Sequence, residues 1–120
     1  MSVELFPVLE GYDEYHFYGE FGGKSLVQDL EQLDELAREM DVVPLSNFTT
    51  PRDNEIQWFS PDDGLKTVQS LIKQITSTPG CLNLEDDSDE ELTLSELEEM
   101  EAILIQAQQE DKRFRIGDTA

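Results

Sequence analysis

The chain has 120 residues, 38% of them hydrophobic, with 28 Asp and Glu against 8 Lys and Arg and a formal net charge of −20. That length holds one core and not two, and the charge argues against direct binding to nucleic acid or to anionic membranes, both of which reward Lys and Arg. The single cysteine, Cys81, allows no internal disulfide, and the single histidine, His16, leaves no Cys/His cluster for zinc, so a reducing, cytoplasmic setting without cofactor or metal is expected.

The opening MSVELFPVLEG has neither a basic leader nor a long apolar run, and no later segment reaches membrane-spanning length. So high a charge lies near the disordered side of the balance with hydropathy. Three capped segments of helical periodicity nevertheless mark a folded chain.

Val3, Leu5, Phe6, Val8 and Leu9 read as a first strand, with Pro7 pointing to an edge or a bulge, and Gly11 ends it. The stretch YDEYHFY over 12–18 reads as a returning strand, Tyr15 and Phe17 on one side, His16 and Tyr18 on the other. Whether Tyr12, Tyr15 and Tyr18 serve a core or an interface is open on pattern alone. Gly19, Gly22 and Gly23 then break the chain before a helix over 25–40. Ser25 with Gln28 makes its capping box, and Leu26, Leu30, Leu33, Ala37 and Met40 its apolar face. Residues 41–45 read as a short extended piece with Pro44 at an edge, and 46–53 as a polar loop anchored by Phe48.

The clearest signal spans 54–75, NEIQWFSPDDGLKTVQSLIKQI. Ile56, Trp58 and Phe59 predict a strand that buries at least one face. Ser60 is placed as a helix cap, Pro61 at the first helical position, and Asp62 and Asp63 against the positive end of the dipole. Leu65, Val68, Leu71 or Ile72, and Ile75 continue as one apolar stripe, and Pro79 with Gly80 stops the helix.

The run EDDSDEE repels itself, which predicts a solvated acidic loop over 85–92. A third helix is expected from Thr93, with Glu96 completing a capping box and Leu97, Met100, Leu104 and Ala107 forming its stripe. Lys112, Arg113 and Arg115 alternate with Phe114 and Ile116 as in a closing strand, and 118–120 should fray. The expected fold is α+β: three helices packed on one face of a small mixed or antiparallel sheet of three to five strands, a single domain over 1–117.

Chemistry-bearing motifs are sparse. GEFGGKS over 19–25 ends like a phosphate-binding loop, but the glycine that wraps the phosphate would have to stand at Tyr18, and no apolar strand ending in Asp follows; it reads as a helix entrance. Pairing His16 with Cys81 has no recognised spacing behind it, and EDDSDEE lacks the Asp-x-Asp-x-Asp-Gly turn of a calcium loop. What remains is the acidic surface. The first helix offers Asp29, Glu31, Asp34, Glu35 and Glu39 against Arg38, and the third offers Glu96, Glu98, Glu99 and Glu101.

The leading expectation is therefore a non-enzymatic interaction module for a basic protein partner. Its binding residues are expected to be Asp34, Glu35, Asp86, Asp87, Asp89, Glu90, Glu91, Glu98 and Glu99. Two other readings stand beside it: an inhibitor that mimics nucleic acid before a nucleic-acid-binding protein, and a small hydrolase or nucleotide-binding protein using the region of His16 and Lys24.

Overall fold

The apolar run Leu5–Leu9 forms the first strand, β1, of a computed structural model that describes residues 5–14, 16–17, 28–49, 56–82 and 87–118, the side chains of 87–89 and 118 apart. It pairs antiparallel with β2, Phe114–Asp118, setting Leu5 against Asp118 and Leu9 against Phe114. The Glu10 N–H extends the ladder by donating to the Arg113 carbonyl at 2.9 Å. Bonded and non-bonded pairs alternate along such a ladder, so Pro7 opposite Ile116 falls in a non-bonded pair. Its missing donor points away from β2, where the ladder does not need one.

All five β1 residues are buried, as a continuous apolar run rather than an alternating one requires. The sheet is thus covered on both sides, not only on the side that packs the helices. On the second side Arg115, only 7% exposed, lies over the Trp58 ring at 5.7 Å from its centroid and donates to Glu14 Oε1 at 3.1 Å. Gly117 faces the same way and leaves room for Phe6, whose ring would stand 3.0 Å from an added Cβ.

Among the described residues three α-helices pack with the sheet: α1, Leu30–Glu39; α2, Pro61–Ser77; and α3, Asp87–Gln109. The start of α2 follows its sequence. Ser60 Oγ accepts the Asp62 N–H at 3.2 Å, Pro61 holds the first position, and Leu65, Val68, Leu71 and Ile75 form the buried stripe. Ser60→Ala is expected to lower the unfolding free energy by about 1 kcal/mol, read in urea as a lower midpoint at unchanged slope. Gln108 near the end of α3 donates to Asp62 at 2.6 Å, and Gly80 after α2 donates to Glu90 near the start of α3 at 2.9 Å, so the two helices run antiparallel. Both α1 and α3 end on an aspartate in the left-handed region, Asp41 at φ 59° and Asp111 at φ 56°. Val42 then donates back to Ala37 and Lys112 to Ala107, which caps the last carbonyls.

The α+β class and single core hold; the expected three to five strands are not confirmed. Among the described residues there are two strands, and the strand expected over 56–59 shrinks to one bridge. Phe59 exchanges both backbone bonds with Phe114, at 2.8 and 2.9 Å, before the chain turns into α2 at Pro61. Ile56 is exposed and Trp58 half-buried, so the tryptophan flanks the core rather than filling it. Leu45–Phe48, expected as the end of an extended piece and the start of a polar loop, is a 3-10 helix; it buries Leu45 and the expected anchor Phe48 and delivers Thr49 to a parallel bridge with Ile116.

Where a returning strand is expected over 12–18, the described residues 12–14 and 16–17 form a turn instead. Gly11 takes φ 88°, Tyr12 N–H donates to Leu9 and His16 N–H to Asp13. A strand would send neighbouring rings to opposite faces; here Tyr12, His16 and Phe17 pack together, with centroids 4.7 to 5.4 Å apart. Tyr15 and Tyr18 lie outside the described residues, as does the Ser25 cap.

The acidic loop expected over 85–92 is helical from Asp87 onward, because carboxylates in a first turn are favoured by the helix dipole. Glu85 and Asp86 lie outside the described residues. Thr93 consequently sits inside α3 rather than at its cap. It is fully buried, and its hydroxyl donates to Asp29 Oδ2 at 2.6 Å.

Candidate functional site

A groove forms where α1 passes the turn that leads from α2 to α3. Four α1 residues at helical spacing line it, Gln32, Glu35, Leu36 and Glu39, and the turn adds Cys81 and Leu82. Leu36 and Leu82 are buried and make the floor, while Gln32, Glu35 and Glu39 are exposed and make the rim. The open volume is about 200 Å³.

The turn is held from three directions. Gly80 takes φ 86°, its N–H donates to Glu90 Oε2, and Cys81 N–H donates to the Thr78 carbonyl at 3.1 Å. The Cys81 thiol, half-buried, lies 3.9 Å from the Gln74 carbonyl. Burial raises its pKa, and the nearby Glu90 and Glu39 carboxylates raise it further. A thiol held protonated in this way is a poor nucleophile. His16, the partner weighed for it, packs instead between Tyr12 and Phe17.

The predicted docking acids divide by helical phase. Glu35 is exposed on α1, Glu90 is half-buried against the turn, and Glu91, Glu98 and Glu99 are exposed on the outer side of α3. Asp34 is not on that surface: it is 6% exposed and accepts the Ser46 N–H at 3.2 Å, tying α1 to the 3-10 helix. Asp29 and Glu96, also read as surface charge, are buried as well. Asp87 and Asp89 belong to the first turns of α3, and their side chains lie outside the described set. Asp86, Lys24 and the whole of 19–25 lie outside it too.

Several of the basic side chains are already engaged. Arg113 pairs with Glu10, lowering that carboxyl's pKa through the hydrogen bond, and Arg115 pairs with Glu14. Lys112 stands over the Tyr12 ring at 5.5 Å, and the Tyr12 hydroxyl donates to Glu110 at 2.6 Å, which raises the phenol's pKa and lowers the carboxyl's. Among the described residues no group of three or more His, Cys, Asp or Glu could hold a metal ion, and no helix is long and apolar enough to cross a membrane.

The geometry defines a small α+β domain with carboxylates on two helices and, between α1 and a turn, a groove with an acidic rim and two leucines at its floor. In comparison with known proteins the chain matches no family model, no curated protein and no solved structure. The groove was missed at the sequence level because Cys81 and Leu82 meet α1 only in the folded chain. The spacing of Gln32, Glu35, Leu36 and Glu39 marks a shared helix side, without saying what faces it.

Proposed function

We propose that this protein is a non-enzymatic interaction module that docks a basic protein partner in a reducing, cytoplasmic setting. The observation that carries the reading is the outer side of α3. There Glu91, Glu98 and Glu99 are exposed, and Leu92, 55% exposed, lies two turns from Glu99 on the same side. An apolar side chain among carboxylates suits a partner surface whose cations surround a small apolar contact. Charges at such a surface steer encounter and select partners more than they hold them.

The test is recovery of basic proteins from lysate on the immobilised chain, across a salt series, beside the variant Glu91→Lys/Glu98→Lys/Glu99→Lys. Recovery should fall with salt, and the charge-reversed variant should retain about a tenth or less. Equal recovery by a variant whose melting curve matches the parent's would sink the reading.

A further inference from the structure

We infer that the groove between α1 and the α2–α3 turn is a receptor for one arginine side chain of the partner, seated with its stem on Leu36 and Leu82 and its guanidinium between Glu35 and Glu39. This rests on the proposal of a basic partner and names how that partner is gripped.

Size comes first. At about 200 Å³ the groove is smaller than the ~300 Å³ at which pockets for drug-sized molecules begin. It suits a single long side chain. Its lining then selects the type of side chain, because the floor is apolar and the two charged groups among its described lining residues are both carboxylates. Glu35 and Glu39 stand one helical turn apart, so both address the same space. Glu90, fixed to Gly80 at 2.9 Å, adds negative potential from behind Cys81. The cation on α1, Arg38, lines a separate groove with Leu30 and Glu31 and not this one.

A long aliphatic stem can cover Leu36 and Leu82 while its charged head stays at the rim. Guanidinium fits better than ammonium there. It is more weakly hydrated, so it loses less on approaching an apolar floor, and its planar fork offers donors to two carboxylates at once.

The experiment uses the full chain, isotopically labelled for NMR, titrated at low salt with an arginine-rich amphipathic peptide. Controls are the same peptide with citrulline, which keeps the shape and removes the charge, and with lysine. With the arginine peptide, the amides of Gln32, Leu36, Cys81 and Leu82 should shift and saturate. Citrulline should leave them in place, and lysine should bind more weakly. Glu35→Gln/Glu39→Gln should weaken the groove response about tenfold, the effect of two exposed ion pairs near the top of their usual range. Both positions are exposed, so that variant should melt like the parent.

If the arginine peptide binds through Glu91, Glu98 and Glu99 while the groove amides stay silent, the groove assignment is overturned and the docking reading survives. The assignment is overturned equally if the double variant binds as well as the parent, or if citrulline or lysine matches arginine at the groove. If no peptide binds anywhere on the chain, both readings fall together.

Discussion

Phe114→Ala should lower the unfolding free energy by about 3–5 kcal/mol, the usual cost of emptying an aromatic position in a core. Against a total of about 5–15 kcal/mol for a domain of this kind, that is a large share. Phe114 is fully buried and ties three parts of the fold at once. It opposes Leu9 in the ladder, exchanges backbone bonds with Phe59, and packs its ring 5.0 Å from Phe48 and 6.4 Å from Phe59. The backbone bonds survive the substitution, so the loss comes from the ring's contacts and the cavity it leaves.

The tip of that ring abuts Gly64 of α2. A Cβ there would lie 2.4 Å from Phe114 Cζ, 2.7 Å from Cε1 and 3.1 Å from Leu104 Cδ1. A rigid ring held by two other phenylalanines cannot swing aside. Gly64→Ala is therefore expected to destabilise by about 1–3 kcal/mol, even though alanine in a helix interior is ordinarily better than glycine by ~1 kcal/mol. Phe114→Leu shortens the group that Gly64 accommodates, so it should cost less on top of Gly64→Ala than alone. The coupling should be roughly 1 kcal/mol, within the range found for residues in contact. Urea midpoints for the two singles and the double measure it. A Gly64→Ala protein as stable as the parent, or strictly additive costs, would mean that the ring does not rest on this glycine.

What could be read in the sequence was what local chemistry decides. Ser60, Pro61, Asp62 and Asp63 place the start of α2 because each satisfies a need of the first turn by itself. LFPVL is a strand because its residue types leave few alternatives, whereas the closing strand read from the alternation over 112–116 lies two residues further on, as FRIGD, where Gly117 and Asp118 are held by pairing with Phe6 and Leu5 rather than by their own propensity. The start of α3 was misread because two local signals compete there. The acidic residues from 87 on and the Thr93–Glu96 box each make a plausible helix start. The choice is settled by Asp29, distant in sequence, which takes the Thr93 hydroxyl. The strand expected at 56–59 failed for a related reason: β-propensity states what fits a sheet, not how much partner strand is on offer.

The candidate site was half legible. Glu35, Glu91, Glu98 and Glu99 are exposed as expected. Asp34, Asp29 and Glu96 were misplaced because charge was counted without regard to phase. Asp34 lies four residues from Leu30 and three from Ala37, Asp29 four from Leu33, and Glu96 four from Met100. Those spacings put all three on the buried sides of their helices. A carboxylate at such a position calls for a donor to be sought elsewhere in the chain, as Asp29 finds Thr93 and Asp34 finds Ser46.

Thr93→Val tests that logic most directly, because it changes the donor and almost nothing else. If Thr93 were simply a core position, valine would be neutral or better, being more apolar at nearly the same shape. Asp29 is only 4% exposed, and losing this hydroxyl removes the donor at 2.6 Å from its carboxylate. The expected result is a loss of about 1–3 kcal/mol, toward the upper end because the stranded group is a carboxylate. Asp29 makes no side-chain bond to its own helix, so replacing it forfeits no cap. Thr93→Val combined with Asp29→Leu should accordingly be less damaging than the sum of the singles, since removing both partners leaves nothing unsatisfied. The bond joins the start of α1 to α3, and α1 carries one wall of the groove while α3 fixes the other through Glu90. Thr93→Val should therefore also weaken the groove's response to the arginine peptide under conditions where the variant remains folded. Unaltered peptide affinity together with the stability loss would mean that the α1–α3 tie holds the core but does not set the width of the groove.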